Sequence, residues 1–425
     1  MNRREFLGST AATSLMLFSG PSFAGKKKRA RPAKPNVVLI ICDDLNTEAK
    51  GEHIRWLEAR SRNYINAHCA APACVPSRAA MLFGMQPWES GCYTLDERWF
   101  LNNRLPASSA LPSRMREKGY NIFGTGKIFH GHENDVEWDI YNPADNVING
   151  DENMCGINYG DNATIGNMPD VKISNWAVNR VLSREHTKPF FLTVGLQKPH
   201  TPLAVPPRFF DEPVHALAGL KYNDQADLGP YAKKVASQID IDACMTNPTP
   251  VIHAYQAAVR EADYCIGLLL DGLLAGPNKN DTLVILTSDH GFQLGEKEAW
   301  HKFSLWEKST KVPFMMYASW LDPMTNRQPT SLTDLYHMLV DGDHVMPARP
   351  AVVTSWMLEG ETTPSFTVRD QNYRYIRYKN GIEEELYYNT NDPHEWNNIA
   401  AAAPAKCAAM RAHVPTSWVA RRGSI

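Results

Sequence analysis

Three runs of consecutive apolar residues, rich in branched side chains, interrupt the otherwise mixed pattern of the chain. They cover residues 36–41, 190–194 and 283–287. Such runs are typical of strands buried on both faces, as in a parallel sheet covered by helices. Residues 254–274 follow the 3.6-residue period of a covering helix. The pattern therefore predicts an α/β fold built on a parallel sheet.

Ionisable residues stand directly after each of these runs. They are Asp43 and Asp44, then Lys198 and His200, and finally Asp289 and His290. Open α/β sheets bind ligands at the carboxyl edge of their strands, so we expect these three segments to meet there. Three carboxylates and an imidazole would form a cage for a divalent cation. The alternative is that they are loop caps and turn formers.

The C-terminal part of the chain has a different pattern. Residues 365–369, 373–378 and 384–388 alternate or are rich in aromatic side chains, and Asn380-Gly381 separates the last two. Asn-Gly between such runs predicts a hairpin, and hence a small antiparallel subdomain. We therefore divide the chain into a signal peptide, a basic arm, a large α/β domain and a C-terminal subdomain, at residues 1–24, 25–35, 36–325 and 326–425.

The N-terminal segment has the features of an export signal. Arg3 and Arg4 precede an apolar stretch and then Ser22-Phe23-Ala24, a small-x-small cleavage site. This pattern predicts a twin-arginine signal peptide, the twin-arginine translocase as a partner, and a periplasmic or secreted mature protein. A chance arginine pair in a general secretory signal is the alternative. The apolar stretch is too short for a stable membrane span.

Composition narrows the function further. A formal charge of -2 over 425 residues gives no basic face for a nucleic-acid partner. The eight cysteines are compatible with disulfides in an oxidising compartment, in a connectivity that the sequence leaves open. No C-x-x-C pair occurs, which argues against a zinc ribbon.

One short motif indicates a protein family. Cys74-Val75-Pro76-Ser77-Arg78 matches the C-x-P-S-R signature of the type I sulfatases, in the alkaline phosphatase superfamily. Other segments resemble further elements of that family in the same order, namely Gly126–His130, Lys198–Pro202, Ser288–Gly291, Trp300–Lys302 and Glu385–Glu395. The resemblance runs from about residue 35 to 398 and is strongest to the iduronate-2-sulfatase-like branch.

This resemblance implies a fold and a chemistry. The fold would be alkaline-phosphatase-like, with a mixed, mostly parallel sheet. Cys74 would be converted to Cα-formylglycine by a formylglycine-generating or an anaerobic sulfatase-maturing enzyme. The cation ligands would be Asp43, Asp44, Cys74, Asp289 and His290. The resemblance favours Ca²⁺ over Mg²⁺.

The resemblance also implies a role for each basic residue around the cysteine. Arg78 and Lys127 would steady the formylglycine and the sulfate, and His130 would act as a base on the second hydroxyl of the hydrated aldehyde. His200 and Lys302 would bind sulfate and protonate the leaving oxygen. The expected activity is hydrolysis of sulfate monoesters, on a sulfated saccharide or polysaccharide.

Two regions depart from the family pattern. Residues 45–73 are short, and residues 133–170 have no pattern that we can assign, so the sequence leaves the substrate open. A phosphonate or phosphodiester hydrolase of the same superfamily and a non-catalytic glycan-binding relative are the alternatives. Trp88, Trp99 and Trp300 are candidates for sugar stacking or for core packing.

Overall fold

A computed structural model describes residues 29–143, 165–214, 224–238, 248–342 and 345–423. The predicted signal peptide lies outside these ranges, as do Cys155 and Cys244. Among the described residues, no helix combines the length and the apolar character needed to cross a membrane.

The described residues form helices and strands along most of the chain. The strands are β1 (Asn36–Asp43), β2 (Arg62–Tyr64), β3 (Ala67–His68), β4 (Asn121–Gly126), β5 (Ile140–Asn142), β6 (Phe190–Pro199), β7 (Thr282–Ser288), β8 (Gln293–Leu294), β9 (Trp300–His301), β10 (Phe314–Tyr317), β11 (Met324–Asn326), β12 (Thr330–Ser331), β13 (Val352–Trp356), β14 (Ser365–Arg369), β15 (Tyr373–Tyr378) and β16 (Glu383–Tyr388). The α-helices are α1 (Glu52–Arg60), α2 (Cys74–Phe83), α3 (Pro87–Ser90), α4 (Leu111–Glu117), α5 (Pro169–Ala177), α6 (Pro230–Ala236), α7 (Pro248–Ala275), α8 (Glu307–Thr310), α9 (Thr333–Val340) and α10 (Pro404–Arg411).

A large mixed sheet organises the fold. Its strand order within the described chain is β11-β2-β10-β7-β1-β6-β4-β5. β1 lies at the centre and pairs in parallel with β6 and β7, so that Ile40 faces Val194 on one side and Leu286 on the other. β10 runs antiparallel to both of its neighbours. The predicted mostly parallel α/β sheet is confirmed.

Both faces of this sheet are covered. Val38 and Ile40 of β1 belong to a core cluster with side chains of α5 and α7, whereas Leu39 and Ile41 belong to a cluster with side chains of α2, α4 and α9. All four side chains are buried, and each contributes about 1.5–3 kcal/mol of hydrophobic stabilisation. This burial on alternating faces explains why β1 reads as an unbroken apolar run.

The small C-terminal sheet is the antiparallel meander β13-β14-β15-β16. Its last hairpin turns at the predicted Asn380-Gly381, where Gly381 adopts a φ of 89° that suits glycine. The division at residue 326 stays a prediction. Contacts of α9 with α2 and α4 favour a later boundary, shortly before Val352.

A buried ionic network joins the small sheet to α8. The Arg374 guanidinium lies 2.6 Å from a Glu307 oxygen and 2.8 Å from a Glu395 oxygen, and Arg369 lies 3.1 Å from Glu307. Removing one partner from such a buried network typically costs about 3–5 kcal/mol. Since Glu307 begins α8, five residues after Lys302, the small sheet anchors the segment that carries this lysine.

Candidate active site

The carboxyl ends of four adjacent parallel strands bring the predicted segments to one edge of the large sheet. β1 ends at Asp43, and the Asp44 that follows has a φ of 68°, a conformation that aspartate tolerates better than most residues. Asp289 follows β7, His200 follows β6 and Lys127 follows β4. The strand order β7-β1-β6-β4 explains why segments so distant in sequence meet here.

Cys74 is the first residue of α2, and its side chain is buried in a polar environment. Its Sγ lies 3.5 Å from Asp43 Oδ1, 3.3 Å from His290 Nε2 and 3.1 Å from Lys302 Nζ. Ala73, at the N-cap, offers no side-chain acceptor to the first turn. The helix therefore directs free N–H donors and the positive end of its dipole to the region around Cys74, which favours an anion there.

The other described cysteines lie in different surroundings. Burial raises the pKa of Cys42, Cys69, Cys92 and Cys265, as is typical of unreactive structural thiols. All six cysteines that the structure describes are free thiols. The disulfides that the cysteine content allowed are therefore not formed among these six.

Arg78 lies one turn along α2 from Cys74 and connects three segments. Its Nε donates to Asp289 Oδ2 at 2.9 Å, and its Nη1 donates to the Ile128 carbonyl at 3.1 Å. Its Nη2 lies 3.5 Å from Asp43 Oδ1. Although burial lowers the pKa of Arg78, Asp289 and Asp43 outweigh this effect and raise it, so the guanidinium stays charged.

Two lysines pair with the aspartates, Lys127 directly after β4 and Lys302 directly after β9. Lys127 Nζ donates to Asp43 Oδ2, and Lys302 Nζ donates to Asp44 Oδ1 at 2.7 Å. Burial by itself raises the pKa of both aspartates, but Lys127 on Asp43 and Lys302 on Asp44 outweigh it and hold each pKa below its ordinary value. Both carboxylates are therefore ionised at neutral pH.

The acidic side chains are arranged as a metal site requires. Ligand atoms of Asp43, Cys74, Asp289 and His290 all lie within 4.8 Å of one another. Oδ2 of Asp44 is buried and has no hydrogen-bond partner in the described part of the chain. Because a buried, unpaired carboxylate oxygen is costly, this atom fits a ligand role.

His290 is oriented for the same role. Its Nδ1 lies 2.9 Å from the Gly291 carbonyl and donates to it, which leaves Nε2 directed at Asp44 Oδ1, 3.3 Å away. Burial lowers the pKa of His290, but Asp289 and the other acidic groups outweigh this and raise the pKa to about 9. The surrounding carboxylates thus favour positive charge at this position, which a divalent cation also supplies.

The remaining predicted histidines take different positions. His200 Nε2 lies 3.8 Å from Asp44 Oδ2. Burial and then Lys302 lower the pKa of His200. His130 is exposed at the rim of the site, where desolvation and the Lys127 ammonium lower its pKa. The structure thus brings together every predicted site residue except His130, which remains beside the group.

His301 was not predicted, although it lies in the same cluster. Its Nε2 lies 3.8 Å from Asp44 Oδ2, and its buried Nδ1 has no hydrogen-bond partner among the described residues. The only signal in the sequence was its position beside Lys302.

The structure also shows where the three candidate tryptophans lie. Trp99 and Trp300 are buried in the core, and Trp88 packs on Phe366.

This constellation agrees with comparison to known proteins. A family model for Sulfatase matches residues 35–341, which include the strand ends, Cys74 and Lys302. The chain belongs to the Sulfatase family. As a member of this family it is a sulfuric ester hydrolase, and the family uses a metal ion and a modified cysteine.

Individual relatives of this sulfatase are distant. A sulfatase of Formosa agariphila is 28% identical, over 86% of this chain and 83% of its own length. Mouse iduronate 2-sulfatase is 27% identical over 66% of this chain and 59% of its own length. These matches agree with the expected resemblance to the iduronate-2-sulfatase-like branch.

Solved structures share the fold. A 2-O GAG sulfatase superposes with a TM-score of 0.71 at 22% identity, over 89% of this chain and 90% of its own. The phosphonate monoester hydrolase of Agrobacterium radiobacter superposes with a TM-score of 0.67 at 16% identity, over 92% and 100%. The fold is therefore common to sulfate and phosphonate hydrolases, and substrate choice depends on the site.

Proposed function

We propose that this sulfatase hydrolyses sulfate monoesters on a saccharide, with Cys74 as the precursor of its nucleophile. The observation that carries the proposal is the environment of Cys74 Sγ, which touches Asp43, His290 and Lys302 at 3.1–3.5 Å. A structural thiol needs none of these charged neighbours. A thiol that is to become a reacting group requires them.

The charges around Cys74 support an anionic substrate. Three carboxylates and three basic groups surround it, namely Asp43, Asp44, Asp289, Arg78, Lys127 and Lys302. These charges balance, so a bound divalent cation would leave the site with excess positive charge. Buried positive charge in a preorganised site stabilises the sulfuryl oxygens, which carry the developing charge.

We assign the cation to Asp43, Asp44, Asp289 and His290, together with the modified Cys74. The predominance of carboxylate oxygens favours Ca²⁺ over Mg²⁺, which demands stricter octahedral geometry. When bound, the cation would neutralise the carboxylates and polarise a sulfate oxygen. Arg78 holds Asp289 in place, and Lys127 does the same for Asp43.

The nucleophile would be Cys74 after conversion to Cα-formylglycine by a maturation enzyme. The hydrated aldehyde supplies a hydroxyl for attack on sulfur. Its location at the N-terminus of α2 directs the attacking atom to the strand ends. Arg78 and Lys127 would hold it in orientation.

We assign binding of the sulfate to Lys302 and protonation of the leaving oxygen to His200. The raised pKa of Lys302 results from Asp44, which outweighs the effect of burial, so Lys302 stays charged and holds sulfate. His200 is partly exposed and its Nε2 lies 3.8 Å from Asp44 Oδ2, so it lies at the edge of the group, and we assign to it the proton transfer to the leaving oxygen. His130, at the rim, would serve as the base on the second hydroxyl.

Export by the twin-arginine translocase and a periplasmic or secreted location remain part of the proposal. They rest on the N-terminal sequence pattern. Detection of the mature protein in a periplasmic fraction, and its loss from that fraction when Arg3 and Arg4 are both replaced by lysine, would support export. Retention of the same distribution after replacement would contradict it.

The reaction class is tested by comparing ester types on the matured protein. We expect kcat/KM for a sulfate monoester such as 4-nitrophenyl sulfate to exceed that for bis(4-nitrophenyl) phosphate by about 10²-fold or more, since discrimination reflects differential transition-state binding. This phosphodiester also carries one negative charge, so the comparison is matched in charge. Equal or faster turnover of the phosphodiester would favour the phosphonate or phosphodiester hydrolase alternative.

The cation assignment is tested by thermal unfolding. We expect Ca²⁺ at 100 times its Kd to stabilise the wild-type protein by about 2.7 kcal/mol, and Mg²⁺ to do so less at equal concentration. Asp44→Asn should reduce the Ca²⁺ effect, because asparagine lacks the negative charge of aspartate. Asparagine also tolerates the φ of 68° at this position. Asp341→Asn, at an exposed carboxylate directly after α9, is the control. An unchanged Ca²⁺ shift in Asp44→Asn would remove Asp44 from the site.

A further inference from the structure

A row of aromatic rings leads away from the candidate active site. The rings of His200 and His301 lie 6.1 Å apart, and those of His301 and Phe303 lie 5.6 Å apart. Phe303 stacks on Trp356 at 5.3 Å with an interplanar angle of 25°. Lys302 Nζ lies 5.8 Å from the centroid of the Phe303 ring. The row therefore begins beside Asp44 and ends at β13.

The far end of this row opens into a cleft of 460 Å³, which we call the Phe303 cleft. Phe303 and Trp356 line it on one side, together with Leu95 and Leu358. Phe303 is partly exposed, whereas Trp356 is buried beneath it. Small-molecule sites usually occupy about 300–1,000 Å³ and combine apolar walls with a few polar groups. This cleft has both the size and the composition of such a site.

The loop that lines the cleft at Leu95 and Asp96 is held in place by the C-terminal segment. Tyr93 Oη donates to the Val419 carbonyl at 2.8 Å, and the Arg98 N–H donates to the Gly423 carbonyl at 2.7 Å. Arg421 also pairs with Asp96 at 2.9 Å. The loop that carries Leu95 and Asp96 is therefore fixed at several points, so the cleft is preformed.

The charges at the rim of the cleft are predominantly negative. Asp96, Glu359 and Lys234 line it. Lys234 lies 4.0 Å from Glu361, which also pairs with Lys379 at 2.9 Å, and Arg421 pairs with both Asp96 and Glu97. Around the cleft, four carboxylates (Asp96, Glu97, Glu359 and Glu361) therefore stand against three cations (Lys234, Lys379 and Arg421). Glu359 is exposed and forms no ion pair in the described ranges. A second sulfate or carboxylate entering the cleft would thus meet an uncompensated negative charge.

We propose that the Phe303 cleft binds the sugar ring next to the sulfated one, packed against the exposed part of Phe303, and that Glu359 selects neighbouring rings without negative charge. This inference rests on the proposed function. The apolar face of a sugar ring suits an aromatic surface, while its hydroxyls suit the polar rim. Nε1 of Trp356 has no acceptor among the described residues, so a hydroxyl that reached it would satisfy a buried donor.

A site lined by aromatic rings and carboxylates, as this cleft is, can also bind a quaternary ammonium group. Such a small cation would fill little of the 460 Å³, and we therefore favour the sugar ring. Choline O-sulfate serves as the competing substrate in the test. A higher kcat/KM for choline O-sulfate than for the sulfated disaccharide, sensitive to Phe303→Leu, would overturn the proposal.

The test uses the matured full-length enzyme and three saccharide substrates. They are a monosulfated monosaccharide, a disaccharide with the same sulfated ring and a neutral neighbour, and a disaccharide with sulfate on both rings. Phe303→Leu keeps an apolar side chain but removes the aromatic face. We expect it to raise KM for the monosulfated disaccharide about 3- to 10-fold, the range of an aromatic contact, and to change KM for the monosaccharide much less.

Charge reversal tests the selectivity. Glu359→Lys should raise kcat/KM for the doubly sulfated disaccharide several-fold, relative to the monosulfated one, because repulsion becomes attraction at short range. The matched control is Glu185→Lys, at an exposed glutamate shortly before β6 and so at the opposite edge of the sheet. An equal effect of both variants, or an equal effect of Phe303→Leu on monosaccharide and disaccharide, would overturn the proposal.

A binding measurement separates failure of this inference from failure of the proposed function. Calorimetry on Cys74→Ala records disaccharide binding without turnover. Binding that is weakened by Phe303→Leu, in a protein whose wild type releases no sulfate, would retain the cleft and reject the sulfatase chemistry. Sulfate release without any Phe303 dependence of KM or of binding would reject the cleft alone.

Discussion

Cys74→Ala is expected to lower the rate of sulfate release by about 10⁴-fold or more, as is usual when a nucleophile is lost, with little effect on folding. The thiol touches polar groups of Asp43, His290 and Lys302, so its packing contribution is small. Alanine cannot be converted to formylglycine. The measurement is sulfate release by the variant and the wild type after expression with the same maturation enzyme.

Cys69→Ala is the matched control for this prediction. Cys69 is also buried, lies five residues earlier and has a raised pKa caused mainly by burial. It should keep activity close to that of the wild type. The mass of the wild-type peptide that contains Cys74 should fall by about 18 Da on conversion of thiol to aldehyde, a product outside the ordinary oxidation series of cysteine. Full activity in Cys74→Ala, or an unmodified Cys74 in active enzyme, would contradict the mechanism.

Lys302→Gln is expected to lower kcat/KM for sulfate monoesters by about 10²–10⁴-fold, the range for loss of a positioned charge or proton donor. Lys302 is buried and lies 2.7 Å from Asp44 Oδ1 and 3.1 Å from Cys74 Sγ. Glutamine retains a hydrogen-bond donor but removes the positive charge that would face the sulfate. Steady-state kinetics on the matured variant measure the effect.

Lys308→Gln separates this effect from the loss of an ion pair alone. Lys308 is also buried and pairs with Glu48 at 2.6 Å, but it lies beyond the active-site cluster. Both variants should lose some stability in urea unfolding, because each leaves a carboxylate without its cation. Only Lys302→Gln should lose activity. A similar loss in both variants would assign Lys302 a structural role.

The sequence predicted the parts of the fold that depend on local pattern. The apolar runs identified β1, β6 and β7 to within one residue of their N-terminal ends, because strands covered on both faces favour apolar side chains at successive positions. Asn380-Gly381 identified the hairpin, since few residues other than glycine accept a φ of 89°. The rule that parallel strands share a carboxyl edge then brought Asp43, Asp289 and His200 together in advance of any structure.

Spacing alone could not reveal how side chains meet across that edge. His301 was missed because its contact with Asp44 arises only when β9 is folded against the end of β1. Trp88, Trp99 and Trp300 were candidate stacking surfaces, yet all three pack against other side chains. Whether an aromatic ring faces the core or a cleft is decided by which element covers it.

The sequence by itself thus determined the family, the starts of the central strands and the candidate cysteine, because each depends on residues that are neighbours along the chain. Only the tertiary structure decided that Lys302 contacts Cys74, that the small sheet anchors this lysine through Glu307, and that Phe303 opens into a cleft. These contacts join residues separated by tens to hundreds of positions. They are set by packing between elements far apart along the chain, for which local sequence carries no direct signal.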